Sequence, residues 1–202
     1  MIKDREGIPI RTLDEWQQTF APGNKSLHWK EGRSAHALAE FILHRDGVNQ
    51  IKARLQEVLR YDIYFEKAVP EYEVRFDRYG QGRVHDLAIC GQTQKNERLF
   101  IGLEAKVDEN INRSVQDIYL NAKLRRLSGE STNAPERVEE LIQLHFDQPD
   151  RRVFDLKYQL LYTTAGTLAV GAELAVMYVL VFKTNLYNSL KGVQNLHDYL
   201  AF

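Results

Sequence analysis

The chain has one cysteine, Cys90, in 202 residues. A lone cysteine cannot close an internal disulfide, which excludes the cross-linked scaffold of a small secreted domain. Cys90 stands in a strand-like apolar run and reads as a small buried apolar residue. A basic surplus is also missing. Lys and Arg number 27 against 28 Asp and Glu, for a formal net charge of -1 and a pI near 6.6. Proteins that coat DNA without regard to sequence need a strong positive field, so that class is disfavoured; an enzyme with one local basic face is not. The opening residues Met1-Ile2-Lys3-Asp4-Arg5-Glu6 lack the apolar centre of a signal peptide. The one long apolar stretch, Thr163 to Phe182, contains Gly166, Gly171 and Glu173 and changes character midway. It reads as a helix end, a turn and a buried strand rather than a membrane span. The expectation is a cytoplasmic protein with no membrane contact. Walker-type loops, zinc-spaced Cys/His clusters, nucleophile elbows, repeats and low-complexity tracts are all lacking.

What is present suits one core. Hydrophobic residues make up 44% of the chain, enough for a single sizeable interior. The expected organisation is one domain over 1–202, with 1–33 as an irregular N-terminal extension broken by Pro9, Pro22 and Gly23. Within that extension, Leu13 to Trp16 could start a short helix. Ser34 reads as a helix N-cap, followed by Ala35, Leu38, Ala39 and Ile42 at helical spacing, with Gly47 as the stop. Val48 to Arg60 gives a second amphipathic helix. Pro70 then reads as a break. Tyr72–Asp77, Val84–Cys90 and Leu99–Val107 read as three strands of a meander, the last nearly all apolar at its start. Helices are expected over Asn110–Arg126, Pro135–Phe146, Phe154–Leu168 and Asn188–Leu200, with a buried strand at Ala175–Phe182. Alternating helices and strands fit an α/β or α+β fold better than all-α or all-β, and the expected class is α/β.

Two of these strands carry charges where apolar residues are expected. Asp86 lies within Val84-His85-Asp86-Leu87-Ala88-Ile89. Glu104 and Lys106 end the run Gly102-Leu103-Glu104-Ala105-Lys106, and their spacing of two puts both on one face of a strand. Burying a carboxylate or an ammonium is costly unless it is paired or metal-bound. Two carboxylates can hold Mg²⁺ or Mn²⁺ through hard oxygens, with the Ala105 backbone carbonyl available as a further ligand. Such an ion polarises a phosphodiester and activates water. Lys106 on the same face can orient that water and stabilise charge at phosphorus.

An Asp on one strand followed by Glu-X-Lys on the next resembles the signature of the PD-(D/E)XK nuclease superfamily. Its first motif corresponds to His85-Asp86, with His where the family name has Pro, and its second to Glu104-Ala105-Lys106. The resemblance spans roughly residues 35 to 183. It implies a restriction endonuclease-like core: a central mixed sheet with helices on both faces, in the order αβββαβ, here with extra helices. It also implies Mg²⁺- or Mn²⁺-dependent hydrolysis of DNA, with Asp86, Glu104 and Lys106 as catalytic residues. Many members place an acid on the helix before the meander. Glu40 is the match here and Glu31 the fallback. Some members carry Gln and Tyr on the helix after the Lys, for which Gln116 and Tyr119 are the candidates. A homodimer is a common arrangement where both strands are cut.

Other readings stand beside these. Glu104 and Lys106 could be an ordinary ion pair at a strand end, and Asp86 a structural carboxylate. The pairs Arg125-Arg126 and Arg151-Arg152 could contact phosphates or simply terminate helices. His28, Trp29, Lys30 and Arg33 could grip nucleic acid or pack over the sheet. The alternative function is a catalytically inactive binding or assembly module on the same fold.

Overall fold

The architecture is taken from a computed structural model, which describes residues 1–20, 29–111 and 113–202. Pro22, Gly23 and His28 lie outside the described residues. Helices α1 (Leu13–Gln18), α2 (Ser34–His44) and α3 (Gly47–Leu59) precede three strands, β1 (Ile63–Val74), β2 (Arg83–Thr93) and β3 (Arg98–Lys106). Helices α4 (Val115–Leu127), α5 (Ala134–His145) and α6 (Tyr158–Leu168) follow, with a 3-10 turn at Arg151–Asp155 before α6. Strand β4 (Leu174–Val181) and helix α7 (Ser189–Leu200) close the chain. The strands form one mixed sheet in the order β1-β2-β3-β4. The first three are an antiparallel meander, and β4 lies parallel to β3. This is an α/β fold with helices on both faces of the sheet.

The two faces follow from alternation along β3. Leu99, Ile101, Leu103 and Ala105 join a core with Leu38, Ala39 and Ile42 of α2 and Ile51 and Leu55 of α3. Glu104 and Lys106, of the opposite parity, sit against Gln159, Leu160 and Thr163 of α6. Helix α6 can lie this close because two glycines leave room. A Cβ on Gly102 would come within 2.5 Å of Thr167 Oγ1 and 2.6 Å of His85 Cε1, and one on Gly166 within 2.7 Å of the Arg83 side chain. Thr167 and His85 are both buried and cannot swing aside. Gly102→Ala is therefore expected to cost about 1–3 kcal/mol through overpacking, read as a lower urea midpoint at unchanged slope.

Several sequence expectations shift. β1 runs from Ile63 to Val74 rather than from Tyr72 to Asp77, and Pro70 lies inside it. A proline's missing N–H is tolerated at a sheet edge, and β1 is an edge strand. Ser34 is the first residue of α2 rather than its cap, and its hydroxyl donates to Glu109 Oε1 at 2.7 Å. Gly47 opens α3 instead of ending α2. The short helix expected to start at Leu13 is present as α1, begun by a reciprocal capping box between Thr12 and Glu15, and Trp16 from it is buried in the core. Helix α6 begins at Tyr158, later than Phe154, and ends in a turn with Gly171 at φ +68° before β4. Among the described residues, no helix is long and apolar enough to cross a membrane.

Candidate active site at the fork between β2 and β3

The β2–β3 ladder stops at Leu87 opposite Leu103, although both strands continue. Beyond that pair, β2 runs on beside β1 as far as Arg83 opposite Val74, and β3 runs on beside β4 as far as Lys106 opposite Val181. The sheet therefore forks. Phe182 N–H donates to Lys106 O, so Lys106 and Glu104 turn their backbone groups toward β4. Ala105, between them, turns its N–H and carbonyl toward the fork. The Asp86 carboxylate fills the gap, with Oδ2 accepting from Ala105 N–H at 2.7 Å. A side chain thus replaces the next ladder partner, and the fork places Asp86 against Ala105 and within electrostatic reach of Glu104.

On the α6 side, Lys106 Nζ donates to Glu104 Oε1 at 2.9 Å and to Gln159 Oε1 at 3.3 Å. Gln159 Nε2 donates to the same Glu104 oxygen at 2.5 Å. Arg83, from the β2 arm, pairs with Glu104 Oε2. Both oxygens of this buried carboxylate are thus engaged. Burial pulls the Glu104 pKa upward, but Arg83 and then Lys106 outweigh it and hold the carboxyl below its usual range. Asp86 behaves in the opposite way. Burial, then the Glu104 charge, push it up to about 8, with Glu71 adding to the shift; the Ala105 N–H and Arg83 only partly offset this.

Glu71 is the acid that sequence reasoning missed. It lies between the pairs Pro70–Leu87 and Tyr72–His85, which sets it across from Asp86. It is buried, its backbone is left-handed at φ +51°, and with Asp86 it lines a cavity of about 420 Å³. Trp16, Arg33, Ser34 and Glu109 also line that cavity. In the sequence Glu71 falls between Pro70, which reads as a break, and the strand expected from Tyr72, so nothing set it on a strand face. Glu40, the expected helix acid, points elsewhere. Its carboxylate lies 3.9 Å from both His36 and Arg45 and is not among the groups around Asp86 or Glu104. The fallback Glu31 is exposed.

The expected Gln/Tyr pair is displaced in the same way. Gln116 and Tyr119 line a separate surface pocket with Arg151 and Phe154, because α4 packs on α5 and the 3-10 turn rather than on the sheet. The glutamine at the site is Gln159 of α6. The available signal was Gln159 near the start of a mostly apolar helix. His85 does not face the fork. It is fully buried against Phe100 and beside Gly102, and burial, with the Arg83 charge adding, pushes its pKa down to about 4, so it is neutral at physiological pH. Trp29 packs on Phe20 and His36, and Arg33 pairs with Asp108, which matches packing over the fold rather than a free grip. Arg125, Arg126 and Arg152 are each engaged by a nearby carboxylate.

A family model described as a domain of unknown function, DUF6946, matches residues 9–202. The chain belongs to this family. No curated protein matches it, and no solved structure does. The DUF6946 match covers every element that builds the fork, from α1 to α7.

The fork residues can be tested against a divalent ion on their own chemistry. Asp86, Glu104 and the Ala105 carbonyl are hard oxygen donors of the kind Mg²⁺ and Mn²⁺ prefer. Burial and then the Glu104 charge disfavour the charged form of Asp86, and Arg83 only partly offsets them. In kind, these groups fit. Among the described residues, no three His, Cys, Asp or Glu side chains stand close enough together to hold a metal ion. Arg83 already sits on Glu104, so an ion there competes with Arg83.

Proposed function

We propose that the chain is a metal-dependent phosphodiesterase of the PD-(D/E)XK type acting on DNA. The observation that carries this reading is the fork, which sets Asp86 and the Glu104–Lys106 pair on the diverging ends of two adjacent strands. Asp86, Glu104 and the Ala105 carbonyl would hold Mg²⁺ or Mn²⁺, which when bound supplies Lewis acidity toward a phosphate oxygen and a bound water. Lys106 Nζ, steadied by Glu104 and Gln159, would orient the attacking water and balance charge developing at phosphorus. Gln159 fixes the position of Lys106 and would not itself touch substrate.

A second reading, an inactive binding or assembly module, is favoured by one observation. Arg83 and Lys106 together neutralise Glu104 with protein cations alone. A single assay divides the two. Purified protein is incubated with linear and supercoiled DNA and Mn²⁺ or Mg²⁺, beside Lys106→Ala and Asp86→Ala. Under the nuclease reading the wild type cuts, and each variant loses roughly 10²–10³-fold in rate, the usual worth of one electrostatic group aimed at a transition state. Cutting that survives both substitutions overturns the assignment. No cutting under any metal, together with no Mn²⁺ binding by calorimetry, favours the module.

A further inference from the structure

The two edges of the sheet are treated differently. The outer edge of β1 is closed to further strands in several ways. The N-terminus lies along it, with Lys3 N–H donating to Ala68 O at 2.9 Å and Ala68 N–H donating to Met1 O at 3.2 Å. Pro70 removes a donor, the register slips between Phe65 and Lys67, and Glu66, Lys67, Glu71 and Glu73 put charge along the strand. These are the devices by which sheet proteins prevent edge-to-edge pairing.

Among the described residues, β4 has none of them. Its sequence, Leu-Ala-Val-Met-Tyr-Val-Leu-Val, contains no charge, no proline and no glycine, and its pairing with β3 is unbroken. Seven of its eight residues are half-buried and Val181 is exposed, so the strand is apolar without being enclosed. The direction of its backbone groups follows from geometry. Phe182 N–H faces β3. By alternation, the N–H groups of Val176, Tyr178 and Leu180 also face β3, and those of Ala175, Met177, Val179 and Val181 face outward.

We infer that the β4 edge pairs with the β4 edge of a second copy of this chain, antiparallel about a two-fold axis, joining two four-stranded sheets into one. Self-complementarity favours a second copy as the occupant. The apolar strand is bounded by Glu173 at one end and Lys183 at the other, and both are exposed. Pairing centred on Tyr178 sets Glu173, itself held by Arg98, opposite Lys183 of the partner subunit at both ends. In that register Met177 meets Val179 of the partner subunit, and Ala175 meets Val181 of the partner subunit. All four have outward N–H groups, as hydrogen-bonded antiparallel pairs require. A contact that repeats the same patch on both copies is the usual form of a two-fold dimer. The net charge of -1 leaves little repulsion to oppose it. The inference does not depend on the proposed nuclease activity.

Analytical ultracentrifugation of the full chain across low to high micromolar concentration tests it. The wild type is expected to sediment at twice its 23.5 kDa chain mass. Val179→Pro removes an outward donor and spares the β3 ladder, so it is expected to sediment as a monomer. Glu173→Lys and Lys183→Glu each place like charges at both ends and are expected to weaken the dimer roughly tenfold, from two modest exposed contacts. The double reversal is expected to restore it. Amide hydrogen exchange of the wild type needs no variant: the amides of Ala175, Met177 and Val179 should gain protection as concentration rises. A wild type that stays monomeric throughout overturns the inference. So does a dimer that persists in Val179→Pro when, in the wild type, the amides of Ala175, Met177 and Val179 exchange fast.

Discussion

Asp86→Asn is expected to make the metal-free protein more stable than the wild type at pH 9 and to change it little at pH 4. The Asp86 carboxyl is raised by burial and by Glu104, to about 8 from an ordinary value near 3.8. Between those values the folded state keeps a proton that the unfolded state has lost. Linkage then has one sign: wild-type stability falls as pH rises through this window, by up to about 1.4 kcal/mol per pH unit, and levels off above it. Asparagine cannot ionise and can still accept the Ala105 N–H, so it escapes the penalty. Excess Mn²⁺ should invert the comparison. An ion needs the ionised carboxylate, so metal stabilisation of the wild type should grow with pH and be largely absent in the variant. Thermal unfolding from pH 4 to 9, with chelator and with Mn²⁺, reads both arms. Taking the difference between wild type and variant removes the contribution of other titrating groups. If that difference is flat across pH in chelator, Asp86 is ionised in the fold and this account of the site fails.

The second large effect concerns Arg83. Its guanidinium and the Glu104 carboxylate are both withdrawn from solvent, with side chains 13% and 9% exposed. Removing one partner of a buried pair leaves the other charge poorly compensated, which costs about 3–5 kcal/mol. Arg83→Ala should lose stability on that scale, with Lys106 and Gln159 keeping it from the upper limit. Arg83→Ala combined with Glu104→Gln should recover most of the loss, because the stranded charge is then gone. In Arg83→Ala the freed Glu104 oxygen faces the fork without its cation, so Mn²⁺ should restore part of the stability and bind more tightly than in the wild type. A destabilised Arg83→Ala that ignores Mn²⁺ would mean that Glu104 is purely structural.

Much of the frame was legible in the sequence because it is written in local pattern. The strand-like run Val84–Cys90, the apolar run before Glu104 and the uncharged run after Glu173 correspond to β2, β3 and β4. Spacing alone put Glu104 and Lys106 on one face of β3, and there they are hydrogen-bonded to each other. What was not legible depends on contacts between distant segments. Pro70 looks like a break until β1 is known to be an edge strand. Glu40 and Gln116 were chosen by their position along the chain. Which helix reaches the site is decided by packing, and Gly102 and Gly166 admit α6 there while α4 is held by α5. Glu71 became visible only through strand register. Arg83 was unmarked because a basic residue at the start of a strand looks like an ordinary solvated end.

The fork also has a mechanical meaning. Each arm beyond Leu87 and Leu103 is a paired ribbon, β1 with β2 and β3 with β4, so each resists bending by itself. Across the gap, the Asp86–Ala105 hydrogen bond and the Arg83–Glu104 ion pair stand where a ladder would be. Opening the aperture at this point strains those ties at the side-chain level, and a net hydrogen bond is worth only about 1 kcal/mol. A guest entering between the arms would work as a wedge against two ties, with both ribbons intact on either side of it.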